Sequence, residues 1–307
     1  MSAVVIVGVG DAAHAVMRAA RAANFEVVGD VLAPDSIAMD PPPGVDRVLV
    51  AATGISRDRL AQLARRCAER GVSVWLEASA LPTISDLLRN ESIGGLAGVV
   101  FSGARVPGSL TRGLDIVVAA MGLLLLSPAL LLIALLVRMS SSGSALHRAE
   151  VVGQDGRRFT WYKFRTMRLE GEDEAQRRQR FAEFVDGDNV AGKIVDESRV
   201  TAIGRVLRRH SLDELPELFS VLVGDMTLIG PRPCLVYEYE LLKRWQRARL
   251  AVRPGLTGLW QVRGRGHVLA DEMAFMDICY ALGRTWRTDL RVLWETVRVV
   301  VGGRGGT

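Results

Sequence analysis

Cysteine is scarce, and Cys67, Cys234 and Cys279 are far apart and odd in number. Such a set does not make a disulfide framework, and a reducing cytosolic setting is expected. His147, His210 and His267 have no spacing that suggests a zinc site. There is also no RNP pattern and no heptad run, so nucleic acid is the weaker reading of the basic residues. Internal repeats are absent. The N-terminal stretch MSAVVIVGVGDAA has no basic segment before its apolar run and turns at once into a glycine loop, so a signal peptide is not expected there. Only one long hydrophobic run is present.

What is there is nearly half apolar, with an ordinary charged share and a formal net charge of +5 over 307 residues. The length suits two domains. The excess charge is modest but clustered, which suits an anionic membrane surface or phosphate ligands.

Residues 1 to about 100 alternate strand and helix signals. Apolar runs at Val4–Val7, Glu26–Val31, Asp46–Ala51 and Val72–Leu76 predict strands, with helices through Ala23 and over Arg57–Arg70. This order implies half of a doubly wound sheet, a Rossmann-like α/β domain. The loop GVGDAA holds part of a dinucleotide fingerprint, with Gly8, Gly10 and Ala13, and Asp30 falls where a ribose-binding acid would sit. A tight strand-to-helix turn explains the same residues without a ligand.

Ile116–Val137 is the long apolar run, 22 residues without a charge, and is long enough to cross a bilayer. Ser127-Pro128 sits at its middle, where proline removes a backbone bond and breaks or kinks a helix. Each half is then only about 15 Å long at the helical rise. Arg105 and Arg112 precede the run, and Arg138, Arg148, Arg157 and Arg158 follow it, so both flanks carry the cytosolic signal. A re-entrant broken helix meets these facts together; a spanning helix and a buried hairpin are the alternatives. Beyond it, a strand pair is expected around Gly153–Lys163, a charged helix over Glu170–Val185, an amphipathic segment over Glu238–Leu250 and a final helix near Thr288–Val301.

The stretch SLDELPELFSVLVGDMTLIGPRP, from Ser211 to Pro233, holds the chemistry. Asp213 and Glu214 follow the basic run Arg205, Arg208, Arg209, His210 and precede the stiff Gly230–Pro233 turn. Asp213 suits a carboxylate nucleophile at phosphorus, and Glu214 a ligand for a divalent cation, Mg²⁺, that screens diphosphate charge. A first-turn acidic pair bridged to Arg208 or Arg209 is the structural alternative. Lys163 and Arg165 are two apart in a strand-like segment and are expected to share a face, either for phosphate binding or as a solvated basic edge. Arg232, between two prolines, suits a phosphate clamp or a loop-to-carboxylate pair. Arg208 is placed to reach the same phosphate. Arg253, Gln261 and Arg263 are candidates for nucleotide contact, with Trp260 as a base-stacking or anchoring ring.

These segments resemble, in order, the bacterial sugar transferase family, the monotopic polyprenyl-phosphate phosphoglycosyl transferases. The resemblance is carried by the Ser127-Pro128 hairpin, KFRTM at 163 to 167, Ser198–Pro233 with SLDELP and GPRP, RPGLTGLWQVRGR at 253 to 265, and the Asp277–Val297 segment. It implies a membrane-embedded enzyme that moves a sugar 1-phosphate from a UDP-sugar to undecaprenyl phosphate and releases UMP. It also implies a covalent intermediate on the position of Asp213, with Glu214 metal-associated. Similar larger proteins carry a Rossmann-like domain before the hairpin. The chain departs from the pattern at Glu217 and Ser220, where Gln and Asn are usual, and at Ala149 and Val151, where Gln and Arg are usual.

The expected organisation is a Rossmann-like domain over 1–105, a re-entrant hairpin over 106–139, an α-rich α+β catalytic domain over 140–301 and a tail over 302–307. The expected setting is the inner membrane with the catalytic domain facing the cytoplasm, priming a surface glycan, with homo-oligomers left open. Two alternatives stand beside it: a non-catalytic membrane interaction protein on the same scaffold, and a nucleotide-dependent enzyme acting through the first domain.

Overall fold

The computed structural model describes residues 2–33, 41–101, 108–168, 174–187, 190, 196–264 and 267–303. Arg105, the 105/106 boundary, residues 170–173 of the expected charged helix, residue 265 and most of the expected tail lie outside them. The chain is mixed α/β and divides into two compact units, Met1–Val106 with Ile278–Asp289, and Pro107–Asp277 with Leu290–Thr307.

The first unit begins β1 (Ala3–Val7), α1 (Gly10–Ala22), β2 (Glu26–Val27), β3 (Arg47–Val50), α2 (Arg57–Glu69), β4 (Ser73–Glu77), β5 (Asn90–Ile93) and β6 (Leu96–Phe101). The six strands form one sheet in the order β2-β1-β3-β4-β6-β5. β1 through β4 are parallel, as an α/β alternation requires, and Val4–Val7 are all buried. Ala13, Val16 and Ala20 of α1 pack on Ile6, Leu49, Trp75 and Val100. The β5–β6 pair was not read from the sequence. It is antiparallel and closes through Gly94-Gly95, both at positive φ, a hairpin signal inside a stretch of weak hydrophobic pattern. The sheet is therefore mixed, with β6 antiparallel to β4.

The second unit opens with α3 (Gly108–Leu125) and α4 (Ser127–Ser140). The break falls where proline was expected to make one. Pro128 stands in the first turn of α4, where its missing N–H costs nothing, the Ser127 hydroxyl donates to the Leu124 carbonyl at 2.7 Å, and the two helices bend by 63°. No single helix among the described residues is long and apolar enough to cross a membrane; the bent pair passes that test by length and composition only. There follow β7 (Leu146–Val152), β8 (Arg158–Phe164), α5 (Glu174–Asp186), α6 (Ala202–Arg209), α7 (Glu217–Val223), β9 (Thr227–Ile229), β10 (Cys234–Leu235), α8 (Val236–Leu241), β11 (Gly255–Thr257), α9 (Leu259–Arg263), α10 (Ala270–Gly283) and α11 (Trp286–Val301), of which residues 278–283 and 286–289 belong to the first unit. The expected amphipathic segment over Glu238–Leu250 is not one helix: α8 ends at Leu241, and a 3-10 stretch covers Gln246–Ala251.

β8 organises this unit because its alternate residues serve two cores. Phe159 and Trp161 join Ala119 and Leu123 of α3 and Leu218 and Val221 of α7. Phe164 joins Ile133, Ala134 and Val137 of α4 and Ile203 and Leu207 of α6. α3 has a second, polar tie. Buried Asp115 accepts from the Thr227 hydroxyl at 2.8 Å and the Leu228 N–H at 3.0 Å. Replacing Asp115 with Ala leaves both donors without that acceptor, so unfolding stability in detergent is expected to fall by about 2 kcal/mol. An unchanged unfolding midpoint would mean that apolar packing alone holds α3.

Candidate active site

Each element delivers one part of the site for a local reason. α6 starts at Thr201, whose hydroxyl accepts from the Gly204 N–H at 2.9 Å. Gly204 has no side chain because a Cβ there would lie 2.0 Å from the Thr166 carbonyl oxygen, so α6 rests directly on the backbone of KFRTM. The helix ends at His210. Ser211 then takes a left-handed conformation, φ 52°, which turns the chain into the short 3-10 turn Leu212–Glu214. Pro216 starts the next helix, with Glu217 as its first residue. The dyad therefore sits on a tight corner between two helices, not within a helix.

Asp213 is buried. Burial, then the neighbouring Glu214 charge, push its pKa up to about 6, against Lys163 and Arg208, which lower it. Lys163, from β8, brings its ammonium to 2.5 Å from Glu214 Oε1 and 3.1 Å from Glu217 Oε1, and 4.0 Å from the centre of the Trp161 ring. Burial works against that ammonium, but Glu214, Glu217 and Asp213 more than offset it, and its pKa lies above the ordinary value. Glu217 is only 2% exposed. Burial drives its pKa up to about 8; Lys163 opposes this and Glu214 adds to it.

Arg232 arrives on the loop between β9 and β10. Its guanidinium lies 5.2 Å from the same Trp161 ring and 3.5 Å from Glu238 of α8. The loop is held by backbone on one side and by a buried ion pair on the other. Gly230 donates to the Thr257 carbonyl and Gly255 to the Pro231 carbonyl, and a Cβ on Gly230 would lie 2.5 Å from the Arg253 carbonyl oxygen. Arg249 donates to the Arg232 carbonyl at 3.2 Å and pairs with Asp277 at 2.6 Å, both almost fully buried.

The other candidate residues are placed as follows. Arg208 is 3.3 Å from Glu197 and acts electrostatically on Asp213. Arg165 does not extend the Lys163 face, because β8 ends at Phe164. Its guanidinium donates instead to the carbonyls of Ser142, Ser141 and Val137, where it caps the C-terminal end of α4. Arg253 precedes β11, which runs parallel to β9 beside the Gly230–Pro233 loop. Gln261 donates to the Leu256 carbonyl at 3.3 Å, and Arg263 pairs with Glu295 of α11 at 3.3 Å. Sequence reasoning missed Trp161, Glu238 and Arg249 as parts of the site, and it noted Glu217 only as a departure. Trp161 was signalled by its spacing of two from Lys163 on a strand, and Glu217 by its spacing of one helical turn from the dyad.

Among the described residues no group of three or more His, Cys, Asp or Glu side chains is arranged to hold a metal ion alone. Mg²⁺ is commonly held by one or two carboxylates with substrate phosphates, and Glu214, partly exposed, is a hard oxygen donor of that kind.

Comparison with known proteins follows the same residues. The family model for the bacterial sugar transferases matches residues 107–303. The chain belongs to the bacterial sugar transferase family, an enzyme family. It is 36% identical to the exopolysaccharide production protein ExoY of Rhizobium meliloti over 201 residues, 65% of this chain and 89% of that one. It is 40% identical to the UDP-glucose:undecaprenyl-phosphate glucose-1-phosphate transferase of Caulobacter vibrioides over 198 residues, 62% of this chain and 66% of that one. It is 36% identical to the galactosyl transferase CpsE of Streptococcus agalactiae over 198 residues, 63% of this chain, and spans 42% of that protein.

The raised carboxyl pKa values have a signed consequence. Glu217 ionises near 8 in the folded protein and near its ordinary 4.5 when unfolded, so between those values the folded state holds the extra proton. Its contribution to stability is complete below 4.5 and is lost as pH rises to about 8. The Glu217→Gln variant, which stays neutral, is expected to gain stability relative to wild type between pH 5 and pH 8. Thermal unfolding of both at the two pH values checks this; a difference that does not change with pH contradicts it.

Proposed function

We propose that this protein transfers a sugar 1-phosphate from a UDP-sugar to a polyprenyl phosphate, undecaprenyl phosphate in bacteria, as the priming step of a surface glycan. The observation that carries the reading is the Asp213–Glu214 corner, with a buried carboxylate beside Lys163 and within the field of Arg208. An Asp213 carboxylate oxygen attacks the phosphorus that bears the sugar. The bond from that phosphorus to the bridging oxygen of the diphosphate breaks, and UMP leaves with the electron pair. An oxygen of the acceptor phosphate then attacks the same phosphorus, and the Asp213 carboxylate is released. With a pKa of about 6, Asp213 is mostly ionised at neutral pH and retains the basicity of a competent nucleophile. Arg232 and Lys163 offset phosphate charge. Arg165 is left out of the phosphate-binding set, since both terminal nitrogens of its guanidinium donate to carbonyls at the end of α4. Glu214 would hold Mg²⁺, which when bound screens the diphosphate.

The membrane side of the reading rests on α3 and α4. Leu124 and Leu131 are 70% and 73% exposed on either side of the bend, and Met139 is 75% exposed. So much open apolar surface on helices otherwise packed into the catalytic unit fits a lipid environment. A bent pair that enters and leaves by the cytoplasmic face of the inner membrane fits Arg112 at one flank and Arg138 at the other. The parallel strands and the Gly8–Gly10 loop of the first unit support a Rossmann-like reading of that unit.

UMP release across a panel of UDP-sugars, with polyprenyl phosphate present, tests the reaction. Wild type is expected to release UMP with at least one donor and to carry a phosphosugar adduct on Asp213 when given that donor alone. Asp213→Asn is expected to lose at least about a thousandfold in turnover while still folding, and EDTA is expected to stop wild type. Near-normal turnover in the Asn variant would end the covalent mechanism, and full turnover in EDTA would end the metal role of Glu214.

The hairpin is tested separately. Ser109→Cys and Ser144→Cys, each in a background without the three native cysteines, are expected to react with an impermeant thiol reagent from the cytoplasmic side alone. Labelling of one from outside the membrane and of the other from inside would show a true crossing.

A further inference from the structure

Glu217 is among the most buried carboxyl groups of the described chain, yet it does not sit on the nucleophile's own corner. Its Oε1 lies 3.1 Å from Lys163 Nζ, so a carboxyl oxygen faces the ammonium whether or not Glu217 carries its proton. The same ammonium meets Glu214 at 2.5 Å and the Trp161 ring at 4.0 Å. A lysine ammonium is a compact charge on a flexible four-carbon stem, and without several contacts it samples many positions. Three contacts of different kinds fix it here: an acid on the turn, an acid on α7 and a ring on β8. Stability does not explain the second acid. Burying a carboxyl is costly, and an apolar side chain of similar size at such a place is often neutral or stabilising.

We propose that Glu217 is a positioning residue, which holds the Lys163 ammonium on the Trp161 ring and beside Glu214 so that this charge stands ready when an anionic group reaches Asp213. The role rests on the phosphosugar transfer reading for its purpose but not for its geometry. Glu217 touches Lys163, not the reacting atoms. The charged groups facing it are Lys163 and Glu214, with Arg232 in the field of the same cluster.

Two readouts test it on the full chain in detergent. The first is independent of turnover: competitive labelling of lysines with acetic anhydride, read by peptide mass spectrometry, with Lys243 as internal reference. Lys243 is half-exposed and pairs with Asp271, far along the sequence from the cluster. Lys163 is expected to label at least about tenfold more slowly than Lys243 in wild type, and severalfold faster in Glu217→Leu than in wild type, with Lys243 unchanged. The second is kinetic. With a donor that wild type uses, Glu217→Leu is expected to lower kcat about tenfold while KM changes less than about threefold, and Glu217→Gln, which still offers an oxygen to the ammonium, is expected to recover most of that loss. Glu217→Met replaces the Leu variant if the latter does not unfold cooperatively. Unchanged Lys163 labelling in a folded Leu or Met variant overturns the proposal, as does equal kcat in the Gln and apolar variants. A wild type that releases no UMP but shows the labelling change refutes the transfer reading and leaves the positioning of Lys163 standing.

Discussion

The Lys163 ammonium lies 2.5 Å from Glu214 and 3.1 Å from Glu217, with buried Asp213 in the same field. Three carboxyl groups within five consecutive positions repel one another, and a buried corner holding them needs a fixed cation. Arg208 helps from α6, but it is tied to Glu197. The raised carboxyl pKa values follow first from burial, with the neighbouring Glu214 charge adding to it. Asp213 rises to about 6 and Glu217 to about 8, while Lys163 is held protonated by the same acids.

The arginines divide into two kinds of work. Arg112 of α3 donates to the Val221 and Leu222 carbonyls at the end of α7, at 2.6 and 2.7 Å. Arg165 does the same at the end of α4, and Arg249 supports the Arg232 carbonyl from beneath the loop. Each satisfies carbonyls that the backbone leaves without partners, and the planar fork of donors reaches two or three at once. These arginines belong to the scaffold. Arg232 and Arg208, by contrast, stand beside carboxylates near the corner. A basic sequence is thus not a direct count of phosphate contacts, since Arg165, expected on the Lys163 face, donates to carbonyls at the end of α4.

Much of the layout was legible because it rests on local rules. The bend follows from Ser127-Pro128 within an uncharged run, and the parallel strands follow from short β-branched runs between helices. The residues Asp213, Glu214, Lys163 and Arg232 could be named because the ordered motifs around them resemble the bacterial sugar transferases, and the fold gathers all four around Trp161 and the turn. What was not legible depends on tertiary partners. Nothing in the local pattern says that β8 stops one residue before Arg165, or that residues 238–250 break into α8 and a 3-10 stretch. The role of Glu217 required knowing that α7 begins at a strand carrying Lys163. The β5–β6 hairpin hid in residues of low hydrophobic contrast, with only Gly94-Gly95 as its marker.

The elements that carry the corner are also the elements that α3 and α4 pack against. Leu218 and Val221 of α7 sit under α3, and Leu207 of α6 sits under α4, with β8 between the two cores. The turn bearing Asp213 joins α6 to α7, so it bridges the footings of both arms of the bent pair. If lipid covers the outer faces of that pair, the depth of Asp213 relative to the lipid surface is set by rigid side-chain packing and not by a linker. Asp115, which ties α3 to β9 at the base of the Gly230–Pro233 loop, extends the same coupling to Arg232. The bend, the corner and the arginine loop are therefore joined by continuous side-chain packing and hydrogen bonds.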